Sequence, residues 1–147
     1  MKPLILFLTV SVILSCTRSG PPAVNGNGNC ESVVTINEKQ YNQASPNTFN
    51  IIKCEIKDDC LEVTITASGC SGSTWISKIV SNGIIAESYP PQRYLKIMFT
   101  NKEVCDAIAS RKFTYNLKPM RVTGTNEVAL NLKDWTQGLF YQYQFSN

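Results

Sequence analysis

Five stretches of the chain alternate apolar and polar residues with a period of two, and that pattern leaves little choice of fold class. Leu61, Val63, Ile65 and Ala67 alternate with Glu62, Thr64 and Thr66. Leu95, Ile97 and Phe99 do so with Tyr94, Lys96 and Met98, and Phe113, Tyr115 and Leu117 with Thr114 and Asn116. Val128, Leu130 and Leu132 alternate with Ala129 and Asn131, and Leu139, Tyr141, Tyr143 and Phe145 with Phe140, Gln142 and Gln144. Successive side chains of a strand point to opposite faces, so each run is a strand that buries one face and wets the other. Antiparallel sheets packed face to face accommodate all five. Further strands are expected at 33–36, 49–56 and 74–80. Turns are expected at Asp58-Asp59, Ser81-Asn82-Gly83, Pro90-Pro91 and Gly124-Thr125-Asn126. Only 102–110 reads as helical, with Val104, Ala107 and Ile108 near one side. The expectation is an antiparallel β-sandwich of seven to nine strands, immunoglobulin-like or similar in its connections, with one short helix around 102–110.

The first fifteen residues follow a different rule. Lys2 supplies a positive charge, and Pro3 to Leu14 then runs almost without polar interruption up to Ser15-Cys16. About a dozen apolar residues are too few to span a bilayer and match the hydrophobic region of a signal peptide. Ile13-Leu14-Ser15-Cys16 resembles the lipobox of bacterial lipoproteins, which implies a diacylglyceryl thioether on Cys16 and cleavage before it. The segment 17–29, rich in Gly, Pro, Asn and Ser, reads as a flexible tether. The expected organisation is therefore a signal peptide at 1–15, a tether at 16–29 and a folded domain at 30–147. Thr17 is not Asp, so the inner-membrane retention signal is absent, and the tether lacks the acidic cluster of surface-exported lipoproteins. The expected location is the outer membrane, on its periplasmic face rather than the cell surface.

The chain has 147 residues and no histidine. That removes Ser-His-Asp and Cys-His nucleophile pairs and His-ligated zinc. Gly69-Cys70-Ser71-Gly72-Ser73 invites a nucleophile reading, but its base would have to be Lys78, so a glycine-rich bend holding a disulfide cysteine is the better account. Cys54, Cys60, Cys70 and Cys105 lack the Cys-x₂-Cys spacing of a metal knuckle, and an oxidising envelope favours bridges. Fourteen basic residues stand against eleven acidic ones, far from the field a nucleic-acid binder needs. Arg111, Lys112, Lys118 and Arg121 make a loose basic cluster that reads as a solvated strand edge. Trp75 and Trp135, with Tyr89 and Tyr94, are the aromatic residues suited to stacking on a sugar, and of these Trp75 sits in an apolar run and reads as core. Trp135 follows Lys133-Asp134 in a loop and is the candidate ligand contact.

Removing Cys16 leaves five cysteines, hence at most two bridges within one chain. Placing Cys54 opposite Cys60 would set Ile52 against Glu62. The register that sets Ile56 against Leu61 puts Ile52 against Ile65 and Cys54 against Val63, so the apolar faces match and Cys60 cannot face Cys54. Cys70 is then free to reach Cys105. Cys30 pairs with Cys54 or with Cys60, and the residues leave that choice open.

Three segments carry a resemblance. Asp59-Cys60-Leu61-Glu62-Val63-Thr64-Ile65 running into Ser68-Gly69-Cys70-Ser71-Gly72, then Glu87-Ser88-Tyr89-Pro90-Pro91-Gln92-Arg93, then Val104-Cys105-Asp106-Ala107 are similar in order and content to small uncharacterised lipoproteins of Bacteroidota. The similarity spans roughly residues 48–143 and implies a lineage and a location, with no activity attached. The expectation from the residues is a non-catalytic, cofactor-free envelope protein held to the membrane through Cys16. It would bind an envelope protein or a glycan and no nucleic acid. The alternative is a passive structural lipoprotein, or a subunit of an envelope complex.

Overall fold

The computed structural model of the protein describes residues 30–44 and 48–144, so the signal peptide, Cys16 and the tether lie outside the described residues. Among the described residues nine strands build two sheets. The first contains β1 (Ser32–Val33), β3 (Asn50–Lys57), β4 (Cys60–Ser68) and β7 (Ile108–Asn116), in the order β1-β7-β4-β3. The second contains β2 (Thr35–Ile36), β5 (Ile76–Ala86), β6 (Gln92–Thr100), β8 (Glu127–Leu132) and β9 (Leu139–Gln142), in the order β2-β5-β6-β8-β9. The all-β fold expected from the alternation is thus present. Leu61, Val63, Ile65, Phe113 and Tyr115 face inward from the first sheet, and Ile79, Leu95, Ile97, Val128, Leu130 and Tyr141 from the second. The Tyr115 hydroxyl crosses the gap to donate to Ser77 Oγ, so its polar tip is satisfied inside the core.

Several details depart from the sequence reading. The sheets are mixed: β1 pairs with β7, β2 with β5 and β6 with β8 in parallel. The resulting order is not that of immunoglobulin domains, which group the first, second, fourth and fifth strands in one sheet. The run expected at 33–36 splits at the buried Val34, giving two residues to each sheet. Ser81-Asn82-Gly83 is no turn. It lies inside β5, where the pairing slips between Ser81 and Ile85 and Gly83 takes a φ of 82° that favours glycine. In the β3–β4 hairpin Cys54 faces Val63 and Ile56 faces Leu61, as the apolar match requires. Ile51 rather than Ile52 faces Ile65, because a bulge falls between Ile51 and Lys53.

Residues 102–110 form no helix. The segment is irregular until β7 begins at Ile108, and its supposed apolar side faces water, with Val104 94% and Ile108 77% exposed. A helix that short gains too little from propensity alone to form without an apolar face to bury. The α-helix among the described residues is α1 (Glu38–Gln43), where the Asn37 side chain caps the first turn by accepting from Gln40 N at 2.9 Å. It lies across β5, with the buried Val80 on the face it covers.

Two disulfides tie the fold, Cys70 to Cys105 and Cys30 to Cys60. Closing loops of 30 and 35 residues, each contributes about 3.5–4 kcal/mol by loop-entropy reasoning. Cys54 is the free thiol among the described cysteines, and burial pushes it up to about 12. A thiol so raised holds on the order of a thousandfold less thiolate at pH 8 than an ordinary one. A non-reducing peptide map is expected to show both bridges. Cys54 should take up iodoacetamide at least a hundredfold faster in denaturant than in native protein. Complete native labelling within minutes would contradict this placement.

Candidate functional site

The end of the first sheet where β4 stops and β7 starts carries the most elaborate polar construction. Ser68 pairs with Ile108 there, so the β4–β5 loop (69–75) and the β6–β7 loop (101–107) lie side by side. Gly69 N donates to Ala107 O, and Asn101 Nδ2 donates to Ser68 O. The Glu103 carboxylate enters the bend of the β4–β5 loop. Its Oε2 accepts from Cys70 N (2.6 Å), Ser71 N (3.0 Å) and Gly72 N (3.0 Å), while Oε1 accepts from Thr74 Oγ1 (2.9 Å) and Thr74 N (3.4 Å). Successive amides can converge this way because Gly72 takes a φ of 72°, turning the backbone into an anion-binding concavity. Gly69 leaves room for it: a Cβ there would lie 2.7 Å from Glu103 Oε2 and 3.0 Å from the Trp75 ring.

The carbonyls of the same loop point the other way and meet a cation. Arg111 Nη1 donates to Gly72 O, Ser73 O and Trp75 O at 2.9–3.0 Å. One carboxylate therefore takes the loop's donors and one guanidinium its acceptors, with the Cys70–Cys105 bridge alongside. The amides of Gly72 and Ser71, followed by the Thr74 contacts, hold the Glu103 carboxyl down to about 2 against an ordinary 4.5. Charge-assisted bonds of this kind are roughly twice as strong as neutral ones. Val104 stands between these anchored residues and is almost wholly exposed. Ser71 Oγ pairs with Ser73 Oγ at 2.8 Å, and the amides nearest to it already hold a carboxylate. The geometry there suits a rigid exposed loop.

The opposite end of β4 holds a second polar cluster. Asp59, in the β3–β4 turn, accepts from Arg121 Nη2 (2.7 Å) and from the Tyr141 hydroxyl, and Lys118 Nζ lies 3.7 Å from its other oxygen. Burial acts to raise the Asp59 carboxyl, but the bonds from Tyr141 and Arg121 hold it below its usual range. The basic cluster read from the sequence is thereby dispersed. Arg111 serves the β4–β5 loop, Lys112 lies 3.6 Å from Glu62, and Lys118 and Arg121 serve Asp59. Trp75 is core, as expected, at 2% exposure. Trp135 is half-buried and rests against the core, with its indole N–H enclosed and unpartnered among the described residues. Tyr89 is fully exposed in the β5–β6 turn, and Tyr94 is half-buried on the outer face of the second sheet.

The architecture has a solved counterpart. It is the crystal structure of a protein of unknown function, DUF1344, from Bacteroides vulgatus, which matches with a TM-score of 0.50 at 15% identity. The match covers 78% of this chain, which spans only 57% of that protein. At that identity the likeness is one of fold. No protein-family model matches the chain, and neither does any curated protein.

Sequence reasoning missed Glu103 and Arg111, which organise the site, although the Gly-Cys-Ser-Gly bend and Cys105 flagged both loops. A carboxyl depressed in the folded state stabilises it above its unfolded pKa, and that contribution disappears as pH falls through the folded value. Glu103→Gln is therefore expected to be less stable than wild type at pH 7, with the gap closing as pH falls from 4.5 towards about 2. Urea unfolding midpoints at pH 7, 4 and 2.5 measure it; a gap independent of pH would show that the charge is not what holds the loop.

Proposed function

We propose that this chain is a lipid-anchored, non-catalytic envelope protein whose domain is an interaction module, and that it presents the loop around Val104 to a protein partner. The anchor reading rests on the apolar run at 3–14 and the Ile13-Leu14-Ser15-Cys16 pattern. Two disulfides fit an oxidising compartment outside the cytoplasm. The observation that carries the binding role is the setting of Val104. A nearly fully exposed apolar side chain sits between Glu103, held by four donors of the neighbouring loop's backbone and one hydroxyl, and Cys105, held by a disulfide. A loop fixed before association loses little conformational entropy on binding, which raises affinity without new contacts.

The geometry suits presentation away from a membrane. The described chain begins at Cys30, which bonds to Cys60 at the Asp59 end of β4. The nine residues of β4 set the Val104 loop roughly 27 Å from that end at ~3.3 Å per residue. The outer membrane, periplasmic face, is the location in this reading.

Two measurements test it together. Detergent-phase partitioning should retain the wild-type protein and lose Cys16→Ala. A photo-crosslinking residue at position 104 should give a discrete protein adduct in cells, with little from the same residue at the exposed position 53. A Cys16→Ala protein that still partitions removes the anchor. Adducts no stronger at 104 than at 53 remove the presented loop.

A further inference from the structure

The outer face of the second sheet is half covered. Helix α1 lies over β5, and Tyr41 reaches the next strand, where Lys96 Nζ sits 4.2 Å over its ring and donates to its carbonyl at 3.0 Å. Beyond Tyr41 no described element crosses β8 and β9. The register sets Gln92 beside Ala129, Ala129 beside Phe140, and Tyr94 beside Asn131. All five alternate with buried residues and so share the outward face.

Phe140 is 56% exposed, and its attitude is set by a glycine. A Cβ at Gly138 would lie 2.8 Å from the ring edge, so the ring occupies the space that any larger residue two positions back would fill. Ala129, the smallest side chain available there, keeps the floor low between the ring and Gln92. Tyr94 lies two strands and one residue row away, roughly 12 Å at sheet spacings of ~4.8 and ~7 Å.

The polar groups between the rings are neutral and already oriented. Asn131 Nδ2 donates to Gln92 Oε1 at 2.9 Å, and Gln92 Nε2 donates to Ser88 Oγ at 3.1 Å. An amide offers two donors and a two-lone-pair acceptor, so each retains bonding capacity beyond this chain. The charged groups at the margin are Glu127, an acceptor that takes a bond from Gln142 Nε2 at 3.2 Å, Lys96, which Tyr41 engages, and the exposed Lys133 just past β8. No cation stands between the two rings, Lys96 is taken up by Tyr41, and an apolar protein surface would strand the amides. Partly exposed aromatic rings separated by oriented amides suit a ligand with C–H faces and a rim of hydroxyls.

We propose that this strip is a binding site for a neutral glycan, with Phe140 and Tyr94 as stacking positions and Gln92 and Asn131 as hydroxyl partners. The site is separate from the Val104 loop and stands whether or not that loop has a partner. The spacing of the two rings calls for a chain of several sugar units.

The test is NMR titration of the folded domain with neutral hexasaccharides of glucose (α- and β-linked), xylose and mannose, beside oligogalacturonate as the anionic control. At least one neutral member is expected to bind, shifting the amides of Ala129 and Asn131. Phe140→Ala should weaken it at least tenfold while leaving the unfolding midpoint within a degree or two, because the ring is exposed. Gly138→Ala, which displaces the ring without removing it, should weaken it as well. No neutral binding at 10 mM, tighter binding of oligogalacturonate, or affinity indifferent to Phe140→Ala would each overturn the proposal.

Discussion

Each long strand buries only one face, so neither sheet can be stable without the other, and the chain must cross between them. Those crossings are where the backbone loses its ladder partners, and an unpaired polar group shielded from water is costly. At the Ser68–Ile108 end two crossings lie side by side. Glu103 absorbs the exposed donors of one loop, Arg111 absorbs its acceptors, and Asn101 takes the carbonyl of Ser68. At the other end Asp59 does the same work, accepting from Arg121 and Tyr141 through its side chain and from Leu117 N through its carbonyl. The disulfides fall at these same two places. Rigidity at the ends is thus a consequence of how the sheets are joined.

This arrangement also accounts for the charge distribution. Arg111, Lys112, Lys118 and Arg121 follow one another closely in sequence, yet each meets a carboxylate or a set of carbonyls. Little unbalanced positive field remains along β7 for an anionic polymer to follow. The surfaces proposed for recognition are instead an apolar tip held on a fixed loop and an aromatic strip on the second sheet.

Much of the fold was legible because alternation is a local signal. Leu61 to Ala67, Leu95 to Phe99 and Val128 to Leu132 read directly as strands with a known inner face. Matching apolar faces was enough to place Ile56 opposite Leu61 and leave Cys70 for Cys105. What was not legible depends on distance or on context. Whether β8 runs parallel to β6 is decided by connections that carry no local mark. Ser81-Asn82-Gly83 serves equally well as a turn or as a bulge, since both use a glycine at positive φ. Three apolar residues in 102–110 suggested a helix, but a helical face forms only where something buries it. The Asn37…Gln40 cap was there to be read and marks the true helix. Arg111 looked like a solvated charge and Glu103 carried no mark at all, because their partners lie about thirty to forty residues away.

The central claim is that backbone amides gripping Glu103 fix the loop that flanks Val104. Cys70 and Ser71 are exposed residues, so an ordinary loop would exchange their amide hydrogens with water at nearly unprotected rates. Hydrogen exchange followed by NMR at neutral pH measures this residue by residue. The account predicts protection of the Cys70, Ser71 and Gly72 amides approaching that of Val63 and Phe113 in the middle of β4 and β7. Exchange of those three amides at random-coil rates, with the strands fully protected, would contradict it.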